Sequence, residues 1–163
     1  MKISEEQFNI LYNDYSQELF NIAYGFTKNE DDSNDLVQDT FLKLLLLNKD
    51  FKSNLDIKYY LIRIIINKSK NYLKSYNKTK VIKNEDIINI YPHDSNQKYN
   101  EIEYSIEKLP SNYKIVIFLK YYNQMNSKEI ASILNITEAT VRKRLDRARR
   151  LLKQLIKESE KNG

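Results

Sequence analysis

Phe8, Leu11, Tyr12, Tyr15, Leu19, Ile22, Ala23 and Phe26 recur three and four residues apart, which lays apolar side chains along one face of an α-helix. Ser4 followed by Gln7 is a capping-box pattern, so a helix over about 5–27 is predicted. The acidic stretch Asn29–Asp35 suits a helix N-terminus. Leu36, Val37, Phe41, Leu44 and Leu45 then follow one face to about Leu47. Asn48–Asp56 is polar and reads as a loop. A third helix is expected over Lys58–Tyr76, apolar nearly all round in its first half (Tyr59, Tyr60, Leu61, Ile62, Ile64, Ile65, Ile66). An isoleucine run also suits a β-strand; the length of the segment, with Tyr72 and Leu73 beyond it, favours a buried helix.

From Asn77 to Asn100 the periodicity fails. Asn, Lys, Asp and Ser dominate, with Pro92 and the single histidine, His93. This reads as a linker in which Ile87–Tyr91 could dock. A second helical unit follows. Ile102–Leu109 forms a short helix ended by Pro110, and Tyr113–Tyr122 a second. Ser127 caps Lys128–Leu134, Asn135–Ile136–Thr137 turns, and Thr137 caps a last helix to about Lys157. That helix carries Val141, Leu145, Ala148, Leu152 and Leu155 on one face. The expected fold class is all-α: two small helical domains, 1–77 and 101–163, joined by a flexible linker over 78–100.

The composition narrows the chemistry. The chain has 163 residues, no Cys, one His and two Gly. These counts exclude disulfides, thiolate and multi-His metal sites, the P-loop and the dinucleotide fingerprint. No nucleophile–base pair is visible, and Asp31–Asp32 read as a helix start, so no catalytic residue, cofactor or metal is expected. No signal pattern and no apolar run of about 18 residues is present, and a cytoplasmic protein without membrane insertion is expected.

Charge changes the picture more. Residues 1–56 hold 5 Lys/Arg against 11 Asp/Glu, and residues 57–83 hold 8 against none. Residues 84–112 hold 2 against 6, and residues 113–163 hold 12 against 5. Two basic blocks parted by acidic ones suggest two contacts with one polyanion. Of only 6 arginines, five lie at 142, 144, 147, 149 and 150. In a chain rich in Lys, Asn and Ile, their retention suggests a need for the planar guanidinium, which binds phosphate or guanine bidentately.

Ser127–Arg150 is the most informative stretch. Two helices joined by a short turn, the second rich in arginine, form the layout of a helix-turn-helix. Ile130, Ala131, Leu134, Ile136, Val141 and Leu145 would bury between the helices. Glu138, Ala139, Thr140, Arg142, Lys143, Asp146 and Arg147 would lie at or near the exposed start of the last helix, which enters a major groove. The competing reading is a basic solvated face.

Here the chain resembles a known family. The run from Leu109 to Leu155 is similar to region 4 of bacterial sigma factors of the extracytoplasmic-function type. Asp35-Leu36-Val37-Gln38-Asp39-Thr40-Phe41-Leu42 resembles the region 2 segment by which such factors bind RNA polymerase. Tyr60-Leu61-Ile62-Arg63-Ile64 followed by Asn67 resembles the next region 2 helix. The resemblance covers nearly the whole chain in the right order. It implies a protein without catalysis of its own that binds core RNA polymerase, directs it to promoter DNA and helps open the −10 duplex.

By resemblance, Asp35, Gln38, Asp39, Phe41 and Leu42 include the contacts to the polymerase β′ clamp helices, and region 4 meets the β flap. From the residues alone, Phe41 and Leu42 read as core and the acids as solvated. The −10 element falls to the loop Phe51, Lys52, Ser53 and Asn54, and to Asn67 on the helix. Phe51 and Asn67 have the chemistry to stack and hydrogen-bond an extruded base. Lys68, Lys70, Asn71 and Lys74 are placed for phosphates or base edges. The residues alone also allow a helix-surface amide at Asn67 and a loop anchor at Phe51. The −35 element falls to Arg142, Lys143, Asp146 and Arg147, with Glu138 and Thr140 nearby; Arg149 and Arg150, later on the helix, are expected to touch phosphates or solvent.

The chain departs from the family pattern in several places. Tyr60 stands where Trp is usual, Ala139 where Gly is common, and Asn135 where the turn often has Gly. Asn tolerates the left-handed conformation, so the turn should survive. Asp146 would repel phosphate but could accept from a cytosine amino group. The resemblance further implies a separate anti-sigma factor as regulator. The alternative function is a stand-alone helix-turn-helix regulator, which would dimerise on a palindromic site. A decoy that binds polymerase without promoters is a further alternative.

Overall fold

The computed structural model describes residues 3–83 and 101–162, which form seven α-helices and a π-helical turn. Among the described residues there is no strand, so the isoleucine run is helical. The chain divides into two compact units, Met1–Lys83 and Asn84–Gly163. Glu85, Asp86, Asp94, His93 and the Ile87–Tyr91 stretch lie outside the described residues.

In the first unit, α1 (Glu5–Thr27), α2 (Glu30–Leu46) and α3 (Asn54–Lys83) pack pairwise against one another. Ser4 and Gln7 close the capping box at the start of α1. Leu19, Ile22, Ala23, Val37, Phe41, Leu44, Leu61, Ile62, Ile65 and Ile66 form the core. Each large side chain buried here contributes about 1.5–3 kcal/mol. Lys58 pairs with Glu18 at 3.5 Å across α3 and α1.

Helix α3 begins earlier than its apolar run. Ser53 is the reason: its hydroxyl accepts from the backbone N–H of Asp56 at 3.2 Å, capping the helix inside a stretch that reads as loop. The helix also runs to Lys83, so residues 78–83 are helical and not linker.

In the second unit, α4 (Glu101–Glu107), α5 (Ser111–Ile117) and α6 (Ser127–Leu134) each pack on α7 (Glu138–Asn162). The π-helical turn Phe118–Tyr122 continues α5. Ile115, Val116, Leu119, Ile130, Ile133, Val141 and Ala148 are fully buried between them. Ile133 is the core residue that spacing passed over, while Leu134 and Ile136 are only half-buried.

The cap of α6 also differs by one position. Asn126, not Ser127, accepts from the N–H of Glu129, at 2.8 Å, and Ser127 is the first helical residue. Asn135 closes α6 in the left-handed conformation, φ 57° and ψ 47°, which Asn adopts more readily than other side-chain-bearing residues. Thr137 then caps α7, accepting from the N–H of Thr140 at 3.1 Å.

Candidate functional site

Three surfaces carry the residues singled out by the sequence. The first is the side of α2 that faces away from the core. Val37, Thr40, Phe41 and Leu44 turn inward and are buried. Asp31, Asp35, Gln38, Asp39, Leu42, Leu45 and Leu46 turn outward and are exposed. Along this outward stripe acids come first and leucines last. Leu42 is 54% and Leu46 78% exposed, an unusual position for apolar side chains on a small unit with a core available.

Phe41 does not belong to this surface. It is 1% exposed and meets Phe8 edge-on at 5.7 Å and Tyr12 at 4.9 Å between ring centres. One helical step of about 100° separates it from Leu42 and puts it in the core. Asp32 also does more than start a helix. Its carboxylate accepts from the Tyr72 hydroxyl at 2.6 Å, tying the start of α2 to α3.

The second surface joins the loop before α3 to α3 itself. Phe51 is half-buried with its ring edge-on to Tyr60 at 5.3 Å, and the Lys49 ammonium lies 5.8 Å from its centre. Burial raises the Tyr60 phenol above its usual range. Asn67 is exposed on α3, seven residues beyond Tyr60. Two turns of helix therefore separate the residue that holds Phe51 from Asn67, a rise of about 10 Å. Lys52, Ser53 and Asn54 are exposed, with the Ser53 hydroxyl engaged as a cap and Asn54 inside the helix. Asn71 and Lys74 are exposed, Lys68 and Lys70 half-buried.

The third surface is the outward side of α7. Val141, Leu145 and Ala148 anchor the helix in the core. That anchoring turns Glu138, Arg142, Lys143, Asp146, Arg147, Arg149 and Arg150 to solvent. Arg142 pairs with Glu138 at 3.5 Å and Arg150 with Asp146 at 3.1 Å. Thr140 is half-buried, its hydroxyl 2.8 Å from that of Thr137. The Arg149 Nε donates to the Tyr121 hydroxyl at 2.8 Å, with the guanidinium 5.7 Å from the ring centre. This contact spans 28 residues, and no local pattern announces it.

An open groove between α1 and α2 is lined by Tyr12, Ser16, Gln17, Phe20, Glu30, Asn34 and Val37. Among the described residues no group of three or more His, Asp or Glu is placed to hold a metal ion. No helix among them is long and apolar enough to cross a membrane.

Comparison with known proteins gives this geometry a family. Residues 11–79 match the model of sigma-70 region 2, and residues 99–152 match that of sigma-70 region 4. The chain belongs to the sigma-70 family, among its extracytoplasmic-function members. It is similar to RNA polymerase sigma factor SigV of Bacillus subtilis (strain 168), 29% identical over 147 residues, covering 89% of each chain. It is also similar to ECF RNA polymerase sigma factor SigM of the same organism, at 25% identity over 89% of this chain and 92% of that one. The ECF RNA polymerase sigma-E factor of Salmonella typhimurium (strain LT2) is 26% identical over 91% of this chain and 85% of its own. Among solved structures, the sigma factor RpoE in complex with the anti-sigma factor NepR, from Bartonella quintana, has a TM-score of 0.71. At 21% identity it covers 93% of this chain and 98% of that one, and supports the same fold. These relatives are transcription initiation factors, and the sigma factor role extends to this chain.

Within the family frame, α2 and most of α3 lie inside the region 2 match, and α5, α6 and most of α7 inside the region 4 match. Residues beyond the family reading are Leu45 and Leu46, which extend the exposed stripe of α2, and Tyr121, which holds Arg149. Leu45, expected on one face with Val37, Phe41 and Leu44, is instead 46% exposed, because the helical step of one residue from buried Leu44 turns it outward.

Proposed function

We propose that this sigma factor acts in the cytoplasm, binding core RNA polymerase through the outward stripe of α2 and directing it to promoters by reading −10 and −35 elements. The observation that carries this reading is the α2 stripe. A stand-alone helix-turn-helix regulator has no use for exposed leucines beside three acids on a unit separate from its DNA-reading helix. Asp35, Gln38, Asp39 and Leu42, extended by Leu46, meet the β′ clamp helices, while residues 101–163 meet the β flap and the −35 element.

In the first unit, residues 1–77 also bind and melt the −10 element. Extruding a base costs a few kcal/mol, and stacking on an aromatic ring returns about 1–3 kcal/mol. Phe51 supplies the ring once it leaves Tyr60, and Asn67 supplies an amide for the base edge. Lys52, Lys68, Lys70, Asn71 and Lys74 hold the backbone, with Ser53 and Asn54 at the helix start. In the second unit, Arg142, Lys143, Asp146 and Arg147 face the −35 groove, with Glu138 and Thr140 at its edge. Residues 84–100 connect the two contacts. A separate anti-sigma factor covers the α2 stripe when transcription is off; the complex of RpoE with NepR is a precedent in a protein of the same fold.

The test is in vitro transcription with core RNA polymerase on a sheared genomic library, with and without this chain. Discrete start sites that require the chain are expected, and their upstream sequences define both elements. Retention of specific DNA without polymerase binding or new start sites would install the stand-alone regulator instead.

A further inference from the structure

Glu138, Arg142, Asp146 and Arg150 lie four residues apart on α7 and form one row along its outward side. The sign of charge alternates down this row. Each acid meets the arginine one turn later, Glu138 with Arg142 at 3.5 Å and Asp146 with Arg150 at 3.1 Å. Glu138 has an ordinary explanation, because an acid in the first turn is favoured by the helix dipole.

Asp146 has no such explanation. It lies in the third turn, beyond the reach of the dipole. Arg142 and Arg150 stand one turn either side of it, with Lys143 and Arg147 alongside. Its pair with Arg150 is solvent-exposed, at 59% and 79% of the two side chains, and a pair of that kind adds little to stability. On a phosphate-binding face an acid works against the attraction that the five arginines create.

A base edge is the partner that makes use of it. A carboxylate in the major groove only accepts, so it needs an exocyclic amino group. Adenine presents N6 beside the acceptor N7, which the second carboxylate oxygen would repel. Cytosine presents N4 as its only polar group on that edge. Arg150 engages Oδ2 of Asp146, which leaves Oδ1 to accept from the base. The guanidinium also offsets the carboxylate's charge against nearby phosphates.

We propose that Asp146 is a specificity-determining residue of this sigma factor: it accepts from the N4 amino group of one cytosine in the −35 element, and Arg150 aims and neutralises its carboxylate. The proposal rests on the sigma reading above, so the experiment starts from promoters that the wild-type holoenzyme already uses. The −35 positions of one such promoter are randomised. Transcripts are then sequenced after initiation by core polymerase with wild-type chain, Asp146→Asn or Asp146→Ala.

The wild type is expected to favour cytosine at one position by about 5- to 150-fold, the range of a single good base contact. Asp146→Asn moves that preference to adenine, which an amide reads bidentately at N6 and N7. Asp146→Ala flattens that position, preserves the others and strengthens binding to unrelated DNA. Identical base preferences at every position in all three proteins, with only overall strength altered, would overturn the proposal and leave Asp146 a surface charge. If the wild-type holoenzyme starts at no defined site, the sigma reading fails first and takes the proposal with it. Unchanged melting curves for the exposed Asp146 variants separate either result from misfolding.

Discussion

The outward sides of α2 and α7 occupy the same position on their helices, opposite a well-filled core, yet they differ in material. On α2, Asp31, Asp35 and Asp39 give way to Leu42, Leu45 and Leu46. On α7, arginines and acids alternate and hold one another in ion pairs. An apolar stripe gains by excluding water, a contribution that salt leaves intact. A charged stripe gains by releasing counterions, a contribution that salt removes. The first suits a protein partner met once per initiation cycle. The second suits a search along DNA, where contacts must form and break at every step.

The largest expected effect divides α2 itself. Phe41→Ala opens a cavity in the core and should cost about 3–5 kcal/mol of stability. Leu42→Glu, one residue on, should leave thermal unfolding nearly unchanged and abolish retention of core polymerase. Equal loss of stability in both would mean that the stripe is part of the core and no interface at all. Next in size is the DNA side. Arg147→Ala should weaken promoter use by about 1–3 kcal/mol and relax the preference at one −35 position, if its guanidinium reads a base. Lys143→Ala should weaken all sequences alike and lower the salt slope of binding by about 1. Polymerase binding through α2, measured over the same salt range, should change far less.

Smaller effects probe what holds the α7 face in place. Asn126→Ala removes the cap of α6 and should cost about 1 kcal/mol in a denaturant titration. Ser127→Ala should be neutral or stabilise by a few tenths, since that hydroxyl does not cap and alanine is the better helix former. Reversed magnitudes would return the cap to Ser127. The smallest effect is expected at Ser69, whose hydroxyl is buried without a hydrogen-bond partner. Ser69→Ala removes that unpaired group and should leave stability unchanged or slightly raised, because the serine contributes no bond to lose.

What the sequence disclosed follows the range of the interactions. Helix α1 was readable because eight apolar positions and a capping box agree over 5–27. The left-handed turn at Asn135 was readable because so few residue types accept it. The cap at Asn126 was not, because Asn and Ser stand side by side and both cap well. Their backbone angles decide between them. The start of α3 was hidden for a similar reason, Ser53 sitting in a polar run that suits a loop as well as a first turn. Phe41 and Leu42 are neighbours of similar character, and only packing against Phe8 and Tyr12 tells one from the other. The bonds Tyr72–Asp32 and Arg149–Tyr121 join residues 40 and 28 apart. Contacts of that separation leave no periodic trace.

The Arg149 contact has a consequence for timing. A long cationic side chain normally gives up about 2 kcal/mol of rotamer freedom when a ligand fixes it. Arg149 has surrendered part of that freedom already, its Nε bonded to Tyr121 and its plane near the ring. Arg149 is aimed when the chain folds, by a contact from outside its own helix. The aim of Arg149 is thus set by Tyr121 in the π-helical turn, outside the helix-turn-helix altogether.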